Sequence, residues 1–318
     1  MKNNEAKKGY RIFELDTITV QAIANRWNLG SVFAVKRFEK GMINDTFLVN
    51  DAYVVKVNTA HPDWPKLEKE GVIYQACSSG IIPVPVFVAY DDSLSVIPFP
   101  YLVYRAIPGE SLDGVWQEYD AKDQERLAEE MGELLGKIHG ISLENVHLPG
   151  QKIYPGLRNT ITQRIEAIVE KLKSSDVLPH DEREGIRRFY VESEMFNDSV
   201  LPSLLHGNYT FGNTIVAEKK IVGIIDWEFS SVGHSEEELA VVLYRVFSHD
   251  HQRECFRRGY TKHRAIDSAF DRRYLAYALL YFLTVLPEVP QWTHRPDKQK
   301  EYMNQAQMLM QQLGIGAQ

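Results

Sequence analysis

The 318-residue sequence has two cysteines, Cys77 and Cys255, far apart and in no CxxC pair. That excludes a disulfide framework and a cysteine zinc site, and makes a reducing compartment the default. No G-x-x-x-x-G-K-[ST] and no G-x-G-x-x-G occurs, so the P-loop and the dinucleotide-binding fingerprint are both missing. There is no H-E-x-x-H either. His249-Asp250-His251 puts its ligand types on adjacent residues, which cannot easily wrap one ion, and a solvated loop is expected there. Positive charge is not in excess. Lys and Arg number 36 against 43 Asp and Glu, for a net charge of −7 and a pI near 5.8, which argues against nucleic acid as a partner. The longest apolar run, Tyr274 to Leu286, is too short to span a bilayer comfortably and ends at Pro287, so a buried helix is expected. Residues Met1 to Gly9 are polar and lysine-rich, unlike a signal peptide, and a cytoplasmic protein is expected. Internal repeats and low-complexity segments are absent.

What is present is ordinary globular composition, 44% hydrophobic and 25% charged, in a chain long enough for two domains or one large bilobal unit. Residues 17–28 have helical spacing, with Thr17 or Thr19 as cap and Gly30 as stop. Strand patterns follow at 32–38, 46–49 and 52–57, the last two joined by an Asn50-Asp51 turn. Lys56 sits inside the apolar run Tyr53-Val54-Val55-Lys56-Val57, where a lysine ordinarily faces solvent. Residues 64–77 read as a helix with Pro65 in its first turn, offering Glu68 and Glu70. The prolines of 80–90 point to an edge strand or an entry segment, and 99–105 is a further strand leading into Pro108-Gly109-Glu110. Beyond Gly114 the pattern is helical: 124–139, 156–172, 181–199, 241–247, 267–286 and 296–312. His139, near a helix end, reads as structural.

One hairpin interrupts the helices. Residues 214–217 and 221–225 flank the turn Glu218-Lys219-Lys220. The loop before it carries His206, Asn208 and Asn213, and the second strand ends on Asp226. Pairing the strands brings Asn213 and Asp226 to one end, and two oxygen ligands there suit Mg²⁺.

His206-Gly207-Asn208, then Asn213 after four intervening residues, then Ile225-Asp226-Trp227-Glu228, resembles the H-G-D-x-x-x-x-N and I-D-W/F/L motifs of the aminoglycoside phosphotransferase and choline-kinase-like family. Gly41, Asn44, Thr46 and Phe47 resemble the family's G-x-x-N-x-T-Y/F loop, and Gly80 to Val86 its G-V-P-V-P-x-V. The resemblance implies an α+β, bilobal, protein-kinase-like fold. Residues 1–105 would form the nucleotide lobe, with a leading helix, an antiparallel sheet and an αC-like helix. Residues 106–318 would form a larger, mostly α-helical catalytic and substrate-binding lobe. The implied cofactors are ATP (or GTP) and Mg²⁺. Lys56 would reach the α- and β-phosphates, paired with a helix glutamate. Alignment to the family favours Glu70, and Glu68 stays open. Gly41, Asn44 and Thr46 would cover the phosphates. Tyr104 would be the gatekeeper, with the Arg105 C=O and the Ile107 N–H on the adenine edge. Asn213 and Asp226 would hold the metal, and His206 and residue 208 would form the catalytic loop. Glu228 and Glu238, with Glu236, Glu237 and Glu288, could line a pocket for a cationic substrate, although a solvated acidic face fits 236–238 equally well. His234 and Glu238 stand where the family's G-D-P-x-x-D-L-A has its aspartates.

The departure is Asn208, at the position of the family's catalytic aspartate. An amide cannot accept a proton. The implied function is transfer of the ATP γ-phosphate to a hydroxyl of a small molecule, as in aminoglycoside-type antibiotic resistance, in a chain impaired at Asn208. The alternatives are a nucleotide-binding pseudokinase, or a metabolic kinase for choline, homoserine or an amino sugar. The intact Lys56, Asn213 and Asp226 favour an enzyme. Expected partners are a small hydroxyl-bearing substrate, cationic in several branches of the family, and neither nucleic acid nor membrane. The expected state is a monomer or homodimer.

Overall fold

A computed structural model of the chain describes residues 14–38, 44–78, 80, 82–175, 177–197, 200–293 and 295–316. In chain order these residues form α1 (Thr17–Arg26), β1 (Val35–Arg37), β2 (Asp45–Val49), β3 (Tyr53–Val57), α2 (Lys66–Ala76), β4 (Phe87–Asp91) and β5 (Tyr101–Arg105). Next come β6 (Glu110–Ser111), α3 (Leu112–Val115), α4 (Ala121–His139), α5 (Leu157–Ser175), α6 (His180–Glu192) and β7 (Ser203–Leu205). The chain continues through β8 (Thr214–Ala217), β9 (Lys220–Ile224), β10 (Ser231–Gly233), α7 (Ser235–Arg245), α8 (Asp250–Thr261), α9 (Phe270–Val285) and α10 (Pro296–Gln312). The fold is α+β, with an antiparallel sheet lobe and a helical lobe.

The chain divides into two compact units: Met1–Leu127, Ser142–Gln151 and His206–Ser231 in the first, Ala128–Ile141, Lys152–Leu205 and Val232–Gln318 in the second. This partition groups the hairpin with the sheet, whereas the lobe boundary expected at 105/106 divides the linear sequence between them.

In the first unit, β1-β2-β3-β5-β4 is an antiparallel sheet with β4 at its edge. Asp16, not Thr17 or Thr19, caps α1, accepting from the Thr19 N–H at 2.7 Å. β1 is shorter than its apolar pattern because the N–H groups of Phe33 and Ala34 donate to the Asn50 side chain, leaving the Phe33 ring exposed. The period-2 alternation then decides what each face does. Phe47, Val49, Val55, Val57, Tyr101 and Val103 pack with Val20 and Ile23 of α1. Thr46, Val54, Lys56, Leu102 and Tyr104 alternate with them and belong to the other face. Gly71 of α2 lies over that face, where a Cβ would stand 3.1 Å from Phe87 and 3.4 Å from Leu102. With a helix on each face, Lys56 is buried.

In the second unit, α5 pairs with α6, and α9 with α7 and α10. α4 and α8 meet backbone to backbone. A Cβ on Gly132 would lie 2.0 Å from the Phe256 carbonyl oxygen, and one on Gly259 1.9 Å from that of Glu129. Two local expectations change. The helix expected over 181–199 ends at Glu192, where Ser193 caps a separate 3-10 turn by accepting from the Met195 N–H. His249-Asp250-His251 is the start of α8 rather than a loop, with His249 as N-cap and Asp250 in the first turn, where the helix dipole favours a carboxylate. Among the described residues no helix is long and apolar enough to cross a membrane.

The run Glu236 to Glu238 is neither a solvated face nor a cation pocket. Arg273 of α9 donates to Glu236 at 2.8 Å, Arg164 of α5 to Glu237 at 2.6 Å, and His139 of α4 meets Glu238 at 3.0 Å. His139 is structural, as its position suggests, and also touches the Tyr260 hydroxyl at 2.9 Å.

Candidate active site

Lys56 is the hub of a charge cluster within the first unit. Its Nζ lies 2.7 Å from Glu70 Oε2, 2.5 Å from Asp226 Oδ1 and 3.8 Å from Glu228 Oε2. Burial alone would lower the Lys56 pKa, but Asp226, Glu70 and Glu228 outweigh it and hold the ammonium well above its usual range. Glu70, not Glu68, is therefore the helix partner. Its other oxygen accepts from the Tyr74 hydroxyl at 2.5 Å, one turn along α2. Burial raises the Glu70 pKa, and Lys56 opposes that. Asp226 is held below the usual carboxylate range: burial pushes it up, and Lys56 more than reverses the push.

The hairpin delivers Asp226. β8 and β9 turn through Glu218 and Lys219, both at positive φ (49° and 61°), a two-residue turn whose twist matches the strands. The Ile225 N–H donates to the Asn213 carbonyl at 3.0 Å, which sets Asn213 and Asp226 at the same end. Asp226 itself is left-handed (φ 69°, ψ 57°), a conformation that Asp and Asn tolerate better than most residues.

His206 fixes the loop before the hairpin. Its Nδ1 accepts from the Asn208 N–H at 3.2 Å, so Nε2 carries the proton and donates to the Ile225 carbonyl at 3.1 Å. The ring is buried against Trp227, centroids 4.4 Å apart. With both nitrogens engaged by backbone, His206 is a positioning residue, a correction to the catalytic role expected for it. Gly207 is required between them. Its φ is +81°, and a Cβ would stand 2.3 Å from the Phe229 carbonyl oxygen. Asn208 is half-buried, and its carbonyl accepts from Asn213 Nδ2 at 2.9 Å.

The remaining expected residues divide. Asn44 donates to Glu228, and its own Oδ1 is buried without a partner among the described residues. Glu228 is buried, tied to Asn44 and close to Lys56, so it belongs to the charge cluster and not to a substrate pocket. Glu238 is likewise corrected: its carboxylate is buried against His139. Thr46 pairs directly with Lys56 across β2 and β3 and shares its face. The buried Tyr104 ring meets Tyr74 edge-on at 5.3 Å, and burial raises its pKa. The Arg105 N–H donates to the Val86 carbonyl at 2.9 Å, and its guanidinium lies 5.3 Å from the Tyr53 ring centroid. Ile107 packs over Gly223, where a Cβ would be 2.4 Å from its Cδ1. Gly41 lies outside the described residues.

This donor set fits a magnesium nucleotide. Asn213 and Asp226 supply hard oxygen atoms from one hairpin end, and Lys56 supplies a fixed cation. Sequence reasoning missed Tyr74 as the second anchor of Glu70. The i, i+4 spacing of the two on α2 was the available signal.

The model of the phosphotransferase enzyme family matches residues 34–306. Among solved structures, the GDP and kanamycin complex of APH(2")-IIIa superposes with a TM-score of 0.71 at 17% identity, covering 94% of this chain and 99% of that one. The ADP-bound aminoglycoside phosphotransferase APH(2'')-Ib gives 0.67 at 16% identity, covering 93% and 99%. Among curated proteins, acyl-CoA dehydrogenase family member 11 of Gallus gallus is 24% identical over 223 residues, 67% of this chain. Its Homo sapiens counterpart is 20% identical over 219 residues, 66% of this chain. The chain spans only 28% of the length of these curated relatives. By the extent of the family match, the chain belongs to the phosphotransferase enzyme family.

Proposed function

We propose that this chain binds Mg-ATP and transfers its γ-phosphate to a hydroxyl of a small molecule, with weak turnover because of Asn208. The observation that carries this reading is Lys56 held between Glu70 and Asp226, with Asn213 beside Asp226 at the hairpin end. In this reading Lys56 neutralises the α- and β-phosphates, and Glu70 with Tyr74 keeps its ammonium in place. Asn213 and Asp226 offer the metal ligands. A Mg²⁺ bound there supplies charge neutralisation for a loose phosphoryl-transfer transition state. Residue 208 orients the attacking hydroxyl, and the His206 ring fixes the backbone of 206–208. Asn208 can orient that hydroxyl but cannot take its proton, which then leaves to solvent or to a phosphate oxygen.

The test is ATP consumption by the chain and by Asn208→Asp. Candidate acceptors are aminoglycosides, amino sugars, choline, homoserine and a hydroxyacyl-CoA. The last is included because the curated relatives bear the name acyl-CoA dehydrogenase. Asn208→Asp should raise turnover by about 10²–10⁴-fold on an accepted substrate, the usual size of a general-base contribution. Silence of both proteins on every acceptor, with Mg-ATP binding intact, would favour a pseudokinase. Equal turnover by both would remove the general-base role from position 208.

A further inference from the structure

The first turn of α2 carries a second lysine that the mechanism above does not use. Lys66 is fully buried, at 0% exposure, and among the described residues no hydrogen-bond acceptor reaches its Nζ. Glu228, then Asp226 and Glu70, attract this ammonium through space, but none accepts a hydrogen bond from it, and the Trp64 ring 5.7 Å away is a weak substitute for a bonded anionic oxygen. Lys66 stands four residues before Glu70, one helical turn, so both belong to the same face of α2. Glu70 on that face already grips Lys56. Trp64 packs edge-on against Phe229 at 5.5 Å, which ties the start of α2 to the turn bearing Glu228. The helix start also lacks a side-chain cap, because Pro65 at the N-cap offers none. The helix dipole there favours a negative charge.

We infer that Lys66 is a second phosphate-binding cation, which takes an oxyanion of the nucleotide polyphosphate alongside Lys56. The inference rests on the nucleotide-binding reading above and adds a residue to it. It gives the orphaned ammonium its acceptor and gives the uncapped helix start its anion. The alternative is a packing lysine whose stem fills space beneath Trp64.

The two differ in what Lys66→Met should do. That variant keeps the stem and removes the charge. With Lys66 as a phosphate ligand, Mg-ATP binds about 10- to 100-fold more weakly, as for one charge-assisted hydrogen bond, whereas a packing lysine leaves that affinity unchanged. Adenosine affinity stays the same, and Lys66→Arg keeps most of the Mg-ATP affinity. Calorimetric titration with Mg-ATP and with adenosine reads these values. Lys66→Gln serves the same comparison if the methionine variant does not fold. Mg-ATP affinity unchanged within twofold in Lys66→Met or Lys66→Gln overturns the inference alone. No Mg-ATP binding by the unaltered chain overturns the nucleotide reading, and this inference with it.

Discussion

Asp226 is held left-handed at the end of β9 while its carboxylate meets Lys56, so its backbone and its charge can be separated by substitution. Asp226→Asn keeps a residue that tolerates the conformation and removes only the charge. Asp226→Ala removes both and adds about 1–2 kcal/mol of backbone strain. The expected outcome is that both variants lose magnesium-dependent nucleotide binding and the Lys56 ion pair, and that the alanine variant melts lower than the asparagine variant. Equal melting of the two would mean that the backbone conformation carries no cost. Lys66 gives a pH test. Burial depresses its pKa to about 8, below the ordinary 10.5. Between those values the unfolded chain binds more protons than the folded one, so the Lys66 contribution to stability rises with pH. Well below pH 8 the full penalty is present, on the order of 3 kcal/mol. Lys66→Met should therefore be stabilising at pH 7, and the gain should shrink toward pH 10. Urea unfolding of both proteins across that range checks it. A gain that does not change with pH would count against a depressed Lys66.

Among the elements, the contact between α4 and α8 depends on the absence of two side chains. Alanine in place of Gly259 would improve helix propensity by about 1 kcal/mol. Its Cβ would also lie 1.9 Å from the Glu129 carbonyl oxygen, an overlap with backbone that no rotamer relieves. Overpacking of this kind costs about 3 kcal/mol and decides the sign. Gly259→Ala should be net destabilising by about 2 kcal/mol in denaturant unfolding, and a neutral result would mean that the helices separate at little cost. Elements of this sort are also where the sequence is most and least readable. The hairpin was legible because its strands, turn and terminal Asp226 are contiguous. Glu70 against Glu68 was not, because both lie on α2 about 200° apart and only the seating of Gly71 on Phe87 and Leu102 selects the face. The fates of Glu228, Glu236 and Glu238 were hidden for a related reason. A carboxylate that will be buried against Lys56, Arg273 or His139 reads the same in sequence as one in water.

For the whole molecule, nucleotide binding and folding are linked. A ligand that binds only the folded chain stabilises it by about 2.7 kcal/mol at 100 times its dissociation constant. Mg-ATP should raise the melting temperature of the unaltered chain, Asn208 notwithstanding, because Lys56, Asn213 and Asp226 are in place. Unchanged melting at millimolar Mg-ATP, with no heat on titration, would refute nucleotide binding. The fold class was readable from the order of the motifs along the chain. The substrate was not, because the helices expected to shape its pocket, over 156–172 and 181–199, carry ordinary amphipathic patterns and no motif.

The three glutamates that open α7 have one more consequence. Successive residues on a helix point about 100° apart, and Glu236, Glu237 and Glu238 reach in turn to α9, α5 and α4. Three fasteners at three azimuths leave α7 no freedom to spin or slide. Deleting or inserting a single residue between Val232 and Ser235 would turn the helix by that same angle, aim each carboxylate at the wrong neighbour and leave the buried Arg273 with Asp267 but without Glu236. This short stretch should therefore reject any change in its length.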